Sequence, residues 1–147
     1  MPGAQQKIII HATPEKVFAA ISDYAKYPAF LEEVTAARID SRSGNKVVAS
    51  FDVDIKVKKI SYTITLTEKE NESVSWTLVR GDFMELNNGS WQLKDLGDGR
   101  TEATYTVEII PKVPRLLGKM KDKISKALTE GSLPKTLNAF KNRAESL

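Results

Sequence analysis

Few side chains in this 147-residue sequence could move a proton or hold a metal. His11 is the one histidine, which excludes any site built on two imidazoles, including the zinc-protease pair. Cysteine is absent, so neither a disulfide framework nor a thiolate metal site can form. A serine triad would have to use His11, and there is no Gly-x-Ser-x-Gly elbow. Gly97 and Gly99 flank Asp98 in a tight-turn sequence, not at a helix start where they could cradle phosphate. The acidic pairs also read as structural. Asp52 and Asp54 share a strand face with Ser50, Lys56 and Lys58, which marks that face as the solvated one. Asp82 and Glu85 flank Phe83 between two strands, where they could sit at a cavity mouth but read better as a solvated turn. No catalytic set, metal site or cofactor is expected.

The aromatic residues carry more information. Phe51, Tyr62, Trp76, Trp91 and Tyr105 each fall within the apolar set of a different strand-like segment. Large rings on one sheet face either fill a core or line a pocket, and the spacing alone leaves both open.

The elements that must place these rings follow from periodicity. Lys7–Ala12 is a β-branched run of strand length. Thr13 then stands as an N-cap before Pro14, with Val17, Phe18 and Ile21 on one helical face. Asp23 can cap a second short helix through Tyr24, Tyr27, Phe30 and Leu31, with Pro28 interrupting it or in its first turn. From Val34 to Pro111 the period is two. The clearest segment places Val47, Ala49, Phe51, Val53, Ile55 and Val57 on one face, as one long bent strand or as a strand with a turn near Lys56. Further inward sets are Ile60–Leu66, then Val74, Trp76 and Leu78, then Leu86, Gly89, Trp91 and Leu93, and last Ala103–Ile109. The turns between them are short, so successive strands are expected to be antiparallel neighbours.

From Val113 onward the chain reads as one long helical tract with a fault. Leu116, Leu117, Met120, Ile124 and Leu128 form one stripe; Leu133, Leu137, Phe140, Ala144 and Leu147 form another, about half a turn away. Gly131-Ser132-Leu133-Pro134 separates them, where a helix can bend and leave a free carbonyl near Glu130. The expected fold is α+β: a curved antiparallel sheet covered on one face by this helix, in one domain over residues 1–147.

The net charge of +3 is unevenly placed: residues from Lys112 onward carry +6 and the rest −3. A basic helix could meet an anionic membrane or ribosomal RNA, although lysines on a solvated face serve solubility equally well. DNA is not an expected partner. Met1–Gln6 lacks a basic-then-apolar signal pattern and no run is long enough to span a bilayer, so a cytoplasmic location is expected.

Four stretches together resemble a known family. They are Ala12-Thr13-Pro14-Glu15-Lys16-Val17-Phe18; Asp23-Tyr24 with Tyr27-Pro28-Ala29-Phe30-Leu31 and Val34; Gly81-Asp82-Phe83, Leu86 and Trp91 with Gly97-Asp98-Gly99 and Thr101; and Val113-Pro114-Arg115 with Thr136-Leu137 and Phe140-Lys141. In this order they resemble the START-like superfamily with its helix-grip fold, and within it the polyketide cyclase/dehydrase and coenzyme Q-binding START-domain proteins. The resemblance implies about seven strands wrapped around the long C-terminal helix, two short helices after the first strand, and a hydrophobic cavity between sheet and helix. It implies cavity walls at Phe51, Val53, Tyr62, Ile64, Trp76, Trp91, Tyr105 and Val107, faced by Met120, Ile124 and Leu128 from the helix. Pro28, Phe30 and Leu31 would lie near an entrance.

The reading carried forward is binding or transport of a small apolar ligand (a lipid, quinone or polyketide-like molecule), oriented by Tyr62 or Tyr105, with no catalysis. One alternative is a polyketide cyclase or dehydratase, for which His11, Asp82, Glu85 and Tyr105 are the plausible titratable groups. The other is an interaction module that docks its basic helix on the ribosome or on an anionic membrane.

Overall fold

Apolar–polar alternation lays the chain into seven strands: β1 (Gly3–Ile10), β2 (Val34–Ser43), β3 (Lys46–Asp54), β4 (Lys59–Lys69), β5 (Ser73–Gly81), β6 (Met84–Asp95) and β7 (Thr101–Pro111). The structure, a computed structural model, describes residues 3–129 and 133–147. All pairings are antiparallel, in one sheet of order β1-β7-β6-β5-β4-β3-β2. Strands β2 to β7 follow one another as neighbours, as their short turns require. The first strand instead pairs with the last. Residues 11–33 must therefore travel from one sheet edge to the other, and their helices cross one end of the inner face.

That crossing segment contains α1 (Pro14–Ser22), a 3₁₀ turn (Tyr24–Lys26) and α2 (Tyr27–Phe30). Thr13 caps α1 through Oγ1, which accepts from the Lys16 N–H at 3.4 Å, and Pro14 takes the first helical position. Val17, Ala20 and Ile21 are its buried face. Asp23 precedes the 3₁₀ turn but its side chain caps nothing, and Pro28 sits in the first turn of α2.

The long alternating run resolves into a strand and a turn. β3 ends at Asp54, whose Oδ1 accepts from the Lys56 N–H at 2.8 Å, and Lys56 adopts φ +75°. The inner residues Val47, Ala49 and Phe51 are buried. One outer-face position departs from the expected solvated face: Ser50 is buried, donating to Asp40 of β2 and sharing a 2.8 Å hydrogen bond with Thr63 of β4. In β6 the inward set is Asn87, Gly89, Trp91 and Leu93 and not Leu86. A register shift between Met84 and Leu86 brings Met84 back inside.

The C-terminal region is helical but not one uniform α-helix from Val113. Arg115–Met120 is a 3₁₀ segment with Leu117 outside helical geometry (φ −104°, ψ 24°), next to Gly118, a poor helix former. The expected apolar stripe fails there: Leu116 is 97% exposed. α3 (Lys121–Thr129) packs on β7 and buries Ile124. α4 (Leu133–Glu145) buries Leu137, Phe140 and Ala144 and packs on α1, α2 and β1. Its far end is tied to β1 by the His11 N–H, which donates to Glu145 Oε2 at 2.8 Å. Of the expected break, Glu130, Gly131 and Ser132 lie outside the described residues, whereas Leu133 and Pro134 are the first two residues of α4.

Candidate functional site

The inner faces of β3 to β7 and the helices enclose a cavity of about 220 Å³. Antiparallel register builds its wall. Phe51 stands opposite Tyr62, and their ring centroids lie 5.5 Å apart. Trp91 stands opposite Tyr105 at 4.9 Å, and Trp76 reaches the same tyrosine at 5.8 Å. Trp76 lies across from Gly89, the position on β6 where there is no side chain to obstruct the indole. Tyr27 and Phe140 come from the helical side. Their rings meet edge-to-face at 5.3 Å, and Tyr27 also stacks on Phe51 at 5.5 Å.

Eight sheet positions expected at the wall are on it: Phe51, Val53, Tyr62, Ile64, Trp76, Trp91, Tyr105 and Val107. From the helical side only Leu128 is, along with Leu31 of the entrance group. Ile124 is wholly buried but off the wall, because α3 turns it into its packing with β7. Met120 belongs to the 3₁₀ segment and lines a separate surface depression formed by Arg115–Met120. Pro28 is exposed on α2. Phe30 is turned away from the cavity, its ring on Tyr27 and Phe140 with the Arg143 guanidinium 5.5 Å from its centroid.

The structure adds wall residues that the sequence did not reveal. Met84 depends on the β6 irregularity, and Asn87 is a polar residue in phase with Trp91; Glu33 lies in the turn before β2, which has no periodicity. Tyr27 and Phe140 carried a legible apolar signal, but periodicity cannot separate a core contact from a cavity wall. Val53, Ile55, Val107, Ile109 and Leu128 are only half-buried, so apolar wall surface stays uncovered by protein. Left dry and empty, 220 Å³ would cost about 5 kcal/mol at about 24 cal/mol per Å³. That is comparable to the whole stability of a small domain, about 5–15 kcal/mol, so the space is not dry and empty but wet, partly collapsed or filled by a ligand.

The polar groups of the wall are few. The Trp76 indole N–H donates to Asn87 Oδ1 at 3.0 Å. The Tyr27 hydroxyl donates to the Ile21 carbonyl. The hydroxyls of Tyr62 and Tyr105 have no hydrogen-bond partner among the described residues, and Glu33 is the one charged residue on the described wall. Burial pushes the Tyr62 phenol up to about 12, with the Glu33 carboxylate adding to the effect. Burial also holds Tyr105 above the ordinary phenol range, with Tyr62 contributing. Tyr27 is raised by burial first and by its tyrosine neighbours second. Tyr24, outside the cavity, is raised by burial and by donating to Glu68 Oε2 at 2.7 Å.

All four tyrosines of the chain are thus held neutral beyond pH 10. A folded-state pKa above the unfolded value of about 10 means that their contribution to stability is full below pH 10 and lost as pH rises through the folded values. An alkaline titration followed at 295 nm should show almost no phenolate signal at pH 10.5 in the folded protein, and the signal of about three of the four in urea. A folded-state midpoint near 10 for even one tyrosine would contradict the geometry.

Of the groups a cyclase could use, His11, Asp82 and Glu85 are exposed and off the wall, Asp82 accepting from the Ser61 N–H at 2.9 Å. Tyr105 alone is on it. Among the described residues, no three His, Cys, Asp or Glu side chains cluster as a metal site would require.

Known proteins match this chain in sequence and shape. The family model for polyketide cyclase / dehydrase and lipid transport matches residues 10–131. The persistence and stress-resistance toxin PasT of Escherichia coli O6:H1 is 29% identical over 98 residues, 65% of this chain. The match spans about 60% of that relative's length. The Zhui aromatase/cyclase of Streptomyces sp. R1128 superimposes with TM-score 0.84 at 14% identity, over 97% of this chain and 93% of that one. The STAR-related lipid transfer protein of Xanthomonas axonopodis does so with TM-score 0.75 at 16% identity, over 97% and 85%. At such identities the two structures share the helix-grip, START-like fold with this chain.

Proposed function

The chain belongs to the polyketide cyclase / dehydrase and lipid transport family, and from that premise we propose that it binds and carries a small hydrophobic molecule in the sheet–helix cavity, without chemical turnover. The observation that carries this reading is the wall itself: apolar, with rings from five strands, partly uncovered, and charged only at Glu33 among the described residues. Burial of apolar ligand surface there contributes about 25 cal/mol per Å². Cyclisation would need a base to remove a proton next to a carbonyl. The wall phenols are protonated, so they can donate to a carbonyl but cannot act as that base, which leaves Glu33 as the one candidate base on the described wall.

The test is mass spectrometry of an organic extract of the protein purified from its own host, with thermal unfolding across a panel of apolar compounds. A co-purified apolar molecule that raises Tm is expected. No extracted molecule and no shift with any compound would sink the reading.

A second reading concerns where loading occurs. Leu116 is 97% exposed, and Lys112, Arg115, Lys119, Lys121 and Lys123 around it are exposed as well. A leucine held in water among cations suits an anionic bilayer better than RNA, because phosphate contacts have no use for the apolar side chain. Sedimentation with phosphatidylglycerol vesicles should therefore weaken with salt. Leu116→Asp should reduce it by at least about tenfold, in line with the burial value of one leucine. Binding unchanged in that variant would remove the membrane reading.

A further inference from the structure

The cavity wall is nearly free of charge but not of hydrogen-bond donors. Tyr62 and Tyr105, whose hydroxyls have no hydrogen-bond partner among the described residues, line a space whose other wall residues are rings and aliphatic groups apart from Thr136, Asn87 and Glu33. Asn87 adds a third group. The indole of Trp76 can only donate, so the atom facing it at 3.0 Å must be Oδ1 of Asn87. The Asn87 NH₂ is thereby turned the other way, where its sole contact is the Met84 sulfur at 4.0 Å, a weak acceptor. Asn87 is itself 6% exposed, so this donor is not supplied by bulk water. No lysine, arginine or histidine lies on the described wall, and Glu33 does.

We propose that the cavity selects an uncharged, carbonyl-bearing ligand, with Tyr62, Tyr105 and Asn87 as the donor set for its oxygen and with Glu33 and the lack of a cation excluding carboxylates. This rests on the proposed binding function and names the ligand class that function would take. Both phenols stay protonated throughout the physiological range, so the donors are constant with pH. A carbonyl oxygen accepts from them and leaves no donor of its own unsatisfied. A carboxylate would leave water to meet a carboxylate and no counter-ion, the situation in which a buried charge is most costly. A pure hydrocarbon would leave the wall donors unsatisfied. The small volume sets the scale as well: about 220 Å³ falls below the range of a drug-sized pocket, so the cavity holds a one- or two-ring head.

Three two-ring probes of nearly one shape separate these cases: 1-acetylnaphthalene, 1-ethylnaphthalene and 1-naphthoate, with binding followed by calorimetry. The ketone should bind about three- to tenfold more tightly than the hydrocarbon for each donor engaged, and the naphthoate most weakly. Tyr62→Phe and Tyr105→Phe should each narrow the ketone–hydrocarbon gap by about that factor while leaving 1-ethylnaphthalene affinity in place. Because neither hydroxyl has a partner among the described residues, both variants should keep the wild-type urea midpoint, which checks folding independently. Equal binding of ketone and hydrocarbon, or a gap untouched in both variants, would overturn the donor set and leave the cavity a binder. Naphthoate binding as tightly as the ketone would overturn the selection against charge. Binding of none of the three, with no apolar compound shifting Tm, would instead overturn the binding function on which the proposal rests.

Discussion

Gly89→Ala is expected to destabilise the protein by about 3 kcal/mol, although alanine is the better residue for a strand on entropy alone. The new Cβ would stand 2.2 Å from Cζ2 and 2.6 Å from Cε2 of Trp76, and 2.7 Å from the Thr106 carbonyl oxygen. The indole is no flexible side-chain end: it packs on Tyr105 and donates to Asn87. Displacing it strains a packed wall, at about 1–3 kcal/mol, and leaves the Asn87 carbonyl buried without its donor, at about 1–3 kcal/mol more. Lost glycine flexibility in the unfolded chain returns about 0.5–1 kcal/mol. A net loss of about 3 kcal/mol corresponds to a fall in Tm of about 6–12 °C for a chain of this size. Urea denaturation gives the first value and calorimetry the second. The mechanism has its own control. In a Trp76→Leu background the ring is gone, and Gly89→Ala should cost less than about 1 kcal/mol. An undiminished penalty there would place the conflict at the Thr106 carbonyl and not at the indole.

The same strand shows how far the sequence could be read. Where the chain alternates without interruption, as through Val47, Ala49 and Phe51 or Ala103, Tyr105 and Val107, one side-chain identity fixes the facing of its neighbours, so the inward face was legible there, while which inward residues line a cavity came only from the family resemblance. In β6 the run Leu86-Asn87-Asn88-Gly89 holds one large apolar residue, which pulls the reading toward Leu86. Counting by twos from Trp91 places Asn87 inside. The signal existed but contradicted the hydrophobicity of the residue it named. Conflicts of that kind, a polar residue at an inward position, mark the places where a site departs from a core. Glu33 was beyond reach, since it enters the wall from a turn and owes its place to the crossing of residues 11–33, a tertiary consequence of β1 pairing with β7. The helical stripe from Leu116 failed for a local reason. Apolar spacing was right, but Gly118 and the non-helical Leu117 prevent the α-helix that would give that spacing a common face.

Phe140→Ala should be the most damaging single truncation, costing about 3–5 kcal/mol, a third or more of the stability typical of a domain this size. The ring is 4% exposed and makes edge contacts at 5.3 Å with Tyr27, Phe30 and Trp91, so it joins α2, α4 and the sheet at one point. It also stands on the cavity wall. Its removal therefore extends the existing space instead of leaving a sealed void, and the two effects can be separated. Stability lost to missing contacts should be recovered in part by a molecule shaped like the missing ring, because apolar cavities of that size take up small aromatics. Saturating toluene should raise the Tm of the Phe140→Ala variant by several degrees more than that of the wild type. Leu137→Ala supplies the comparison. Leu137 is 1% exposed on the same helix but lies off the wall, so its truncation should cost about 2–5 kcal/mol with no rescue by toluene. Equal rescue of both variants would mean that toluene acts on the fold at large; rescue of neither would mean that the space left by Phe140 collapses. Selective rescue would tie the stability of the helix–sheet junction directly to what fills the cavity, so that loading a ligand and fastening α4 become one equilibrium.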